Sequence, residues 1–298
     1  MPVPEPKPVL VTGASTGIGR AITEYLSAGG HDVLAGARKG SDLEALKRLP
    51  RVTPVRLDVT RSEDVARVAG EIRASKLGLY GLVNNAGIGN IGPLAEISVE
   101  ELHQSLAVNL DGLHRMVGGM FPFLRESRGR IINISSMSGI LIDALFGPYN
   151  ISKHAVEAYT DTLREEVSSL GIRVSAVEPG NFQSRIFANG LAAMGDQFRS
   201  GWEKSNSVYR DQVLQTLDYL SSPKVLNRTS YPKPTPVAEA VAHALFAEDP
   251  KPRYLVGTKE ETDTVVDWVL TILRQLNEQH PHSLSTPELL ARLQKALG

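Results

Sequence analysis

Tyr149 and Lys153 are two residues whose types and spacing could carry out chemistry. They are four positions apart in an amphipathic stretch, so in a helix both side chains project from one face and can meet the same ligand. A phenol, whose pKa is ordinarily about 10, is a poor proton carrier at neutral pH unless a nearby cation stabilises the phenolate. Such spacings are common by chance, but this pair begins the predicted helix that follows the apolar run at 130–135, and at that position it predicts proton transfer to or from an oxygen atom of a small molecule.

A glycine-rich run, Thr12-Gly13-Ala14-Ser15-Thr16-Gly17-Ile18-Gly19, lies where a short apolar stretch passes into an amphipathic one. Glycines permit a tight turn and a close approach to backbone atoms, and a helix N-terminus supplies unpaired N–H groups with a partial positive charge. At the end of a parallel strand, such a turn can hold a pyrophosphate. A turn with a purely structural purpose is the alternative.

Short β-branched runs alternate with amphipathic stretches along most of the chain, a pattern typical of βαβ units. We predict an α/β fold with a Rossmann-type, doubly wound sheet of seven parallel strands, in a single domain with a C-terminal helical extension. The predicted strands are 9–12, 31–37, 52–58, 81–84, 130–135, 172–178 and 253–256. The predicted helices are 17–28, 41–49, 62–75, 99–124, 149–170 and 236–246, with Ser62 as the cap of the third.

Three regions flank or interrupt this pattern. Residues 1–8 are a Pro-rich extended lead to the sheet domain, 9–257, and residues 181–236 form a long polar and aromatic segment with one helix near 208–220. Because this segment follows a strand end, we predict a substrate loop or lid, with a packing insertion as the alternative. Residues 258–298 are a helical extension with two helices. Apolar side chains of the first helix are expected to bury against the domain or a second subunit: Val265, Val266, Trp268, Val269, Ile272, Leu273 and Leu276.

Charge and composition narrow the possible partners. With 32 Lys and Arg against 33 Asp and Glu, no global field favours nucleic acid or an anionic membrane, so a small molecule is the predicted partner. Cysteine is absent, which excludes disulfides and thiolate metal sites, and no metal site is expected. Lys251 and Arg253 are interpreted as surface charges. The chain has no signal-peptide core and no apolar stretch of about 18 residues, which predicts a cytoplasmic protein.

The spacing of Gly13, Gly17 and Gly19 resembles that of the short-chain dehydrogenase/reductase family. Further motifs of that family follow in order over roughly residues 8–257: Asp58, Asn84-Asn85-Ala86-Gly87, Asn109, Ser135-Ser136, Tyr149 with Lys153, and Pro179-Gly180. The segment 177–182, Val-Glu-Pro-Gly-Asn-Phe, is similar to the retinol and hydroxysteroid dehydrogenase branch.

The resemblance implies a nicotinamide-dependent oxidoreductase that interconverts an alcohol and a carbonyl by direct hydride transfer. It makes Tyr149 the general acid or base, and it has Lys153 bind the nicotinamide ribose as well. Ser136, thirteen residues before Tyr149, would orient the substrate oxygen, with the neighbouring serines 135 and 138 as alternatives. Asn109 would hold a water that links Lys153 to solvent, with an interhelical hydrogen bond as the alternative.

The resemblance also implies a set of cofactor contacts. At the end of the second strand Ala37 occupies the position of an acid that would bind the NAD ribose, and Arg38 can attract a 2′-phosphate, so NADP is favoured over NAD. Alternatively, Arg38 could stack on adenine or point to solvent. The side chain of Asp58 could cap the loop that follows it and not contact the cofactor. Ser184 stands where the family often has threonine against the carboxamide. The expected contacts are Gly13, Ser15, Thr16, Gly17, Ile18, Gly19, Arg38, Asp58, Val59, Asn85, Ala86, Gly87, Tyr149, Lys153, Pro179, Gly180, Phe182 and Ser184.

Two other functions stay open at this point. The same fold could serve as a non-catalytic NADP(H)-binding sensor or scaffold, although such a protein would be expected to lose the serine, tyrosine or lysine. The same residues could also support dehydration or epimerisation. The apolar content of 181–231 predicts a lipophilic substrate, and the resemblance implies a homodimer or homotetramer that pairs the long helices after the fourth and fifth strands.

Overall fold

A sheet of seven parallel strands forms the centre of the structure, a computed structural model that describes residues 6–223, 225, 231–278 and 281–297. The strands are β1 (Val9–Val11), β2 (Val33–Ala37), β3 (Val52–Arg56), β4 (Gly81–Asn84), β5 (Arg130–Ile134), β6 (Arg173–Pro179) and β7 (Arg253–Val256). Their order in the sheet is β3-β2-β1-β4-β5-β6-β7. Because the order reverses between β1 and β4, a crevice opens there at the carboxyl ends of the strands. The prediction of an α/β fold with seven parallel strands is confirmed.

Helices cover both faces of the sheet. The helices of this part of the chain are α1 (Gly17–Ala28), α2 (Gly40–Leu46), α3 (Ser62–Ser75), α4 (Val99–Leu106), α5 (Gly112–Ser127), α6 (Gly147–Ser168), α7 (Ile186–Met194), α8 (Asp196–Glu203), α9 (Arg210–Ser221) and α10 (Thr235–Phe246). On one face, α1 and α10 bury Ile22 and Val241 in one apolar cluster with β1. On the other face, α3, α5 and α6 bury Val68, Met116 and Val156 in a second cluster. Such burial on both faces explains the continuous apolar runs of the strands.

The helix predicted over 99–124 is interrupted. Ser98 and Glu101 cap α4 reciprocally, and a π-helical turn, Ala107–Asp111, then separates α4 from α5. Such turns insert one extra residue into the helical ladder and occur often at functional sites. Here the turn contains Asn109.

The predicted cap of the third helix is wrong. α3 begins at Ser62 itself, Arg61 holds the capping position, and no side chain caps the helix there. Instead, the Asp64 carboxylate accepts a hydrogen bond of 2.9 Å from the backbone N–H of Asp58, which fixes the loop after β3. An acidic side chain in the first turn also complements the helix dipole.

Three helices, α7 to α9, fill most of the described part of the segment after β6. Phe198, Trp202, Val213 and Leu217 give them an apolar cluster separate from the two beside the sheet. The sequence predicted only α9. The role of this segment as a substrate lid stays a prediction, and residues 224 and 226–230 of it lie outside the described residues, as do residues 1–5 of the predicted lead.

The chain divides at Gly257 into two units, Met1–Gly257 and Thr258–Gly298. The second contains the two predicted helices, α11 (Lys259–Leu276) and α12 (Thr286–Leu297), and Thr258 caps α11 reciprocally with Glu261. Most of the apolar residues of α11 that were expected to be buried are exposed in the chain. Val265 is buried and Trp268 is half-buried, whereas the exposed residues are Val266, Val269, Ile272, Leu273 and Leu276. Their burial against a second subunit stays a prediction.

No helix among the described residues is both long and apolar enough to cross a membrane.

Candidate active site

The glycine-rich turn lies at the carboxyl end of β1, beside the crevice. Gly13 and Gly17 have φ angles of 64° and 56°, which favour glycine because they are left-handed. A Cβ at Gly19 would lie 2.3 Å from the carbonyl oxygen of Gly13, and one at Gly13 would lie 2.9 Å from Ala86 Cα. No side chain fits at these positions, so the turn keeps backbone atoms open to a ligand.

The turn is held to β4 by side chains of Thr12 and Asn85. The Thr12 hydroxyl accepts from the backbone N–H groups of Asn85 and Ala86 at 2.9 and 3.0 Å, and the Asn85 amide donates to the carbonyls of Thr12 and Gly13 at 2.9 and 3.1 Å. Sequence reasoning missed Thr12, although a polar residue that ends a wholly apolar strand was a usable signal. These bonds fix the shape of the turn before any ligand binds.

The chemistry of this turn suits a pyrophosphate. Helix α1 has no acidic residue in its first turn, and Thr16 occupies its capping position with no side-chain cap bond, so its positive end faces no fixed counter-charge of its own. Ser15 and Ile18 lie in the same turn, half-buried. A dinucleotide therefore fits the residues present, which can offer it backbone N–H groups and hydroxyls.

The residues expected near adenosine follow the carboxyl ends of β2 and β3. Arg38 follows β2 and is exposed, with its Nη1 4.0 Å from Asp58 Oδ2 after β3. Asp58 Oδ1 accepts hydrogen bonds from the N–H and hydroxyl of Thr60 at 3.0 and 2.7 Å, which is the loop-capping alternative considered for this side chain. Val59 is buried against Gly112 of α5. Only Arg38 of these three combines charge with exposure.

Tyr149 and Lys153 lie in the first two turns of α6, where both are buried. Lys153 Nζ donates to the carbonyl oxygen of Ile134, at the end of β5, at 2.9 Å and lies 5.8 Å from the centre of the Tyr149 ring. Burial lowers the pKa of Lys153 to about 8, and the negative charge of Glu157 opposes this effect. The lysine thus lies beside the phenol as a buried cation.

Serines follow β5 directly. Ser136 is extended, caps a short 3₁₀ turn (Met137–Gly139) and accepts from the N–H of Ser138 at 3.1 Å. The Ser135 hydroxyl lies on another side, 2.7 Å from the position of a Cβ at Gly139. The 3₁₀ turn packs against α6, so the serines and the tyrosine belong to one edge of the sheet.

Asn109 is bound to protein at both ends of its amide. It exchanges two hydrogen bonds of 2.9 Å with the backbone of Ile88 and donates to the Ser152 hydroxyl at 2.8 Å. Ser152 in turn donates to the Tyr149 carbonyl at 2.7 Å. The interhelical hydrogen bond considered for Asn109 is therefore present, and its side chain holds the first turn of α6 in place; a bound water beside it stays a prediction.

The segment after β6 closes on the glycine-rich turn. Gly180 follows Pro179 and donates to the Val256 carbonyl at 2.8 Å, and Phe182 is buried in the cluster beside β1. The Cα of Ser184 lies 3.0 Å from the position of a Cβ at Gly17.

On the neighbouring loop after β4, a Cβ at Gly87 would lie 3.2 Å from Asn109 Oδ1 and 3.4 Å from Ile186 of α7. The residues predicted after β4 and after β6 therefore meet at one place.

The contacts of Asn84, the last residue of β4, are buried. Its amide donates to Asn133 Oδ1 of β5, whose amide donates to the Thr160 hydroxyl of α6, both at 2.9 Å. No pattern in the sequence indicated that these three residues would meet. Together they tie two central strands to the helix that carries Tyr149.

A charged group missed by sequence reasoning lies one helical turn beyond Lys153. Arg253, interpreted above as a surface charge, instead bonds through Nη1 to Glu157 of α6 and, at 2.7 Å, to Glu178 of β6. Its Nη2 bonds Asp161 at 2.5 Å. Burial raises the pKa of Glu178 to about 7, with Glu157 adding to the effect and Arg253 opposing it. The four-residue spacing from Lys153 to Glu157 and Asp161 was an available signal.

No cluster of His, Cys, Asp and Glu that could hold a metal occurs in the part of the chain that the structure describes. The geometry at the sheet edge supplies a dinucleotide cradle, a buried phenol and a buried ammonium. This arrangement can bind a dinucleotide and move a proton at an oxygen atom of a bound small molecule.

Known proteins are similar to this chain in both sequence and fold. A family model for short chain dehydrogenase matches residues 7–194. The mitochondrial D-beta-hydroxybutyrate dehydrogenase of Bos taurus is 37% identical over 268 residues, 83% of this chain and 76% of that protein. Retinol dehydrogenase 16 of Rattus norvegicus is 34% identical over 260 residues, 84% of this chain and 80% of that protein.

Solved structures agree. A short-chain dehydrogenase from Streptomyces avermitilis superposes with a TM-score of 0.75 and 31% identity over 92% of this chain and 96% of that one. An alcohol dehydrogenase from the archaeon Thermococcus sibiricus, complexed with 5-hydroxy-NADP, has a TM-score of 0.66 and 25% identity over 85% of this chain and 96% of that one. The chain therefore belongs to the short-chain dehydrogenase/reductase family of nicotinamide-dependent oxidoreductases.

Proposed function

We propose that this oxidoreductase interconverts a hydroxyl and a carbonyl on a lipophilic substrate, with Tyr149 as the group that donates or accepts the proton. The observation that carries the proposal is the position of Lys153 Nζ, 5.8 Å from the centre of the Tyr149 ring in a buried site. A positive charge beside a phenol stabilises the phenolate and makes the proton easier to transfer. When bound, the nicotinamide supplies or accepts the hydride.

The remaining side chains have supporting roles. In this proposal Ser136 donates a hydrogen bond to the substrate oxygen, where negative charge develops as a carbonyl is reduced. Lys153 also binds the ribose hydroxyls of the cofactor. Asn109 positions the first turn of α6 through Ser152, and a water near it connects Lys153 to solvent.

NADP is the cofactor favoured by the residues at the end of β2. Arg38 is exposed, and its Nη1 is 4.0 Å from the nearest carboxylate oxygen, which is longer than a hydrogen bond. A 2′-phosphate can take charge-assisted hydrogen bonds from this guanidinium. Ala37 leaves no acid to bind the 2′-hydroxyl of NAD. The NADP derivative in the alcohol dehydrogenase from Thermococcus sibiricus is consistent with this choice.

A lipophilic substrate is favoured by the apolar surroundings of Tyr149. Phe187 of α7 packs edge-to-face on the Tyr149 ring with 5.7 Å between centroids, and Phe146 packs on Phe187 in the same way at 5.3 Å. Leu145 and Leu191 join the same cluster. Such a wall desolvates an apolar substrate favourably. It agrees better with the substrate in the name of retinol dehydrogenase 16 than with a small hydroxy acid.

A homodimer or homotetramer in the cytoplasm completes the proposal. The outer faces of α5 and α6 form a groove lined by apolar and aromatic side chains, among them Val117, Phe121, Tyr159 and Leu163. Two such faces from different subunits would bury one another. The molar mass in solution distinguishes monomer, dimer and tetramer.

The decisive test is Tyr149→Phe, which removes the transferable proton and keeps the ring. We expect turnover of ketones, aldehydes or alcohols with NADPH or NADP to fall by about 10²–10⁴-fold. NADPH affinity, measured by fluorescence titration, should stay within about twofold. Tyr25→Phe, at an exposed position of α1, is the matched control and should keep its activity.

Cofactor binding by the wild type without turnover of any compound in a broad panel would contradict the proposal and favour a sensor or scaffold. Conversion without any net change in nicotinamide absorbance would favour dehydration or epimerisation.

A further inference from the structure

The charged group beyond Lys153 suggests how the protein keeps a buried lysine protonated. We propose that Glu157, held together with Glu178 by Arg253, is a positioning residue that supplies the counter-charge of the Lys153 ammonium. The inference rests on the proposed role of Lys153 as the cation beside Tyr149. In this proposal Glu157 acts through Lys153 and not on the substrate itself.

The need for a counter-charge follows from the surroundings of Lys153. The side chain is buried, and its one hydrogen-bond acceptor among the described residues is the carbonyl of Ile134, which is neutral. No carboxylate of the described residues lies within 4.0 Å of its Nζ. Burial without a charged partner favours the neutral amine, which cannot stabilise a phenolate.

Glu157 is the nearest acid along the helix. Four residues after Lys153, its Cα is about 6 Å further along the helix axis, and both side chains project from the same face. Its Oε2 is bound to Arg253, and when Glu178 is ionised the buried Oε1 of Glu157 has no hydrogen-bond donor among the described residues. A buried carboxylate oxygen without a partner is costly, and a neighbouring ammonium reduces that cost through its field.

Above the pKa of about 7 of Glu178, where this carboxyl is ionised, the charges around this position balance only if Lys153 is charged. The groups come from every element packed there, and the serines of segment 135–138 add no charge. The three carboxylates are Glu157, Asp161 and Glu178, and the three cations are Lys153, Arg164 and Arg253. Although burial alone would raise it, Arg164 and Arg253 hold the pKa of Asp161 below its ordinary value. With all three carboxylates ionised, a neutral Lys153 would leave one uncompensated negative charge in a mostly buried group.

Arg253 fixes where this charge lies. One guanidinium nitrogen, Nη1, bonds the carboxylates of Glu157 and Glu178, and the other nitrogen bonds Asp161. The arginine therefore prevents Glu157 from turning away to solvent. On the opposite side, the 3₁₀ turn leaves no room: a Cβ at Gly139 would lie 2.9 Å from Glu157 Cγ.

The experiment titrates Lys153 directly. Protein labelled with ¹³C at lysine Cε is followed by NMR as a function of pH, and the Lys153 signal is identified by its loss in Lys153→Met. In wild type the midpoint should lie near the value of about 8 given above. In Glu157→Gln, which keeps the shape and removes the charge, we expect the midpoint about one pH unit lower.

Asp161→Asn is the matched control. Asp161 bonds the same arginine, but it lies one turn further from Lys153 and is also paired with Arg164 at 2.7 Å. Its replacement should leave the Lys153 midpoint within about 0.3 pH unit of wild type. An unchanged midpoint in Glu157→Gln, or an equal fall in both variants, would overturn the proposal, because the effect would then not depend on the charge of Glu157.

Two further measurements keep the test decisive. If Glu157→Gln does not fold, Glu178→Gln should lower the midpoint in the same direction by a smaller amount, and no change would count against the proposal. The pH profile of kcat/KM should move with the NMR midpoint in Glu157→Gln and move less in Glu157→Asp. The titration needs no substrate, so it tests the role of Glu157 separately from the proposed function. Absence of turnover in wild type would contradict the proposed function, and the NMR midpoints would still decide whether Glu157 is the counter-charge of Lys153.

Discussion

The turn after β1 and the charged stripe along α6, which comprises Lys153 and Glu157 with their partners Glu178 and Arg253, lie on one sheet and prepare a site by different physical means. The turn is a backbone structure: two left-handed glycines and neutral hydrogen bonds from Thr12 and Asn85 set its shape. The stripe is electrostatic, since Lys153 is a buried ammonium and Arg253 holds the buried carboxylates of Glu157 and Glu178. Adding side-chain atoms should disrupt the turn after β1, whereas removing a charge should disrupt the stripe along α6.

The difference separates two kinds of preorganisation. A backbone cradle tolerates changes of pH but has no space for a side chain, because its atoms are already in contact. A buried charge network tolerates small changes of shape but responds to any change in protonation, because each uncompensated charge is expensive at low dielectric. Binding of the cofactor and activation of the phenol can therefore be impaired independently.

Gly19→Ala should have the largest effect on the turn. Its Cβ would lie 2.3 Å from the Gly13 carbonyl oxygen, so backbone must move. We expect NADPH binding to be lost and the free energy of unfolding to fall by about 1–3 kcal/mol. Isothermal titration and denaturant unfolding would measure both.

Gly40→Ala, at a position with no atom within 4 Å of the added Cβ, is the control and should bind NADPH normally. Normal binding in Gly19→Ala would show that the turn is more adaptable than its contacts indicate.

Arg38→Ala should affect the same region less, and through charge alone. Loss of charge-assisted hydrogen bonds to a 2′-phosphate should weaken NADPH binding by about 10–100-fold and leave NADH binding nearly unchanged. The ratio of the two dissociation constants measures this. Equal weakening of both cofactors would indicate stacking on adenine instead, which was the alternative for this residue.

Glu178→Gln should reveal the electrostatic region through the pH dependence of stability. Burial raises the pKa of Glu178 from 4.5 to about 7, so its stabilising contribution is full below pH 4.5 and is lost as pH rises through 7. Relative to Glu178→Gln, wild type should therefore lose about 1–3 kcal/mol of unfolding free energy between pH 4.5 and 7.5.

The contribution of Lys153 to stability changes with pH in the opposite direction. The pKa of Lys153 falls from 10.5 to about 8, so its contribution is full above pH 10.5 and is lost as pH falls through 8. Denaturant unfolding over a pH series would test both trends. Parallel pH curves for wild type and Glu178→Gln would contradict a raised pKa of Glu178.

Much of the fold followed from local patterns. The strands, α1 and α6 were predicted from apolar runs and helical periodicity, because each has the pattern of an element buried on a known face. The helices α7 and α8 were missed, since their apolar residues pack on each other and not on the sheet. The π-helical turn at Asn109 was missed as well. A single extra residue in a helix does not visibly change the spacing of apolar residues over so short a segment.

By itself, the sequence determined the family, the sheet and the residues brought to its carboxyl edge, including Tyr149 and Lys153. These depend on spacing along one chain segment, which periodicity and turn chemistry control. Only the tertiary structure decided what surrounds the lysine. Glu157, Glu178 and Arg253 come from three elements and meet because β6 and β7 are paired and α6 packs across them. Their charges are ordinary in the sequence and consequential only when buried together, because burial removes the water that would otherwise screen them.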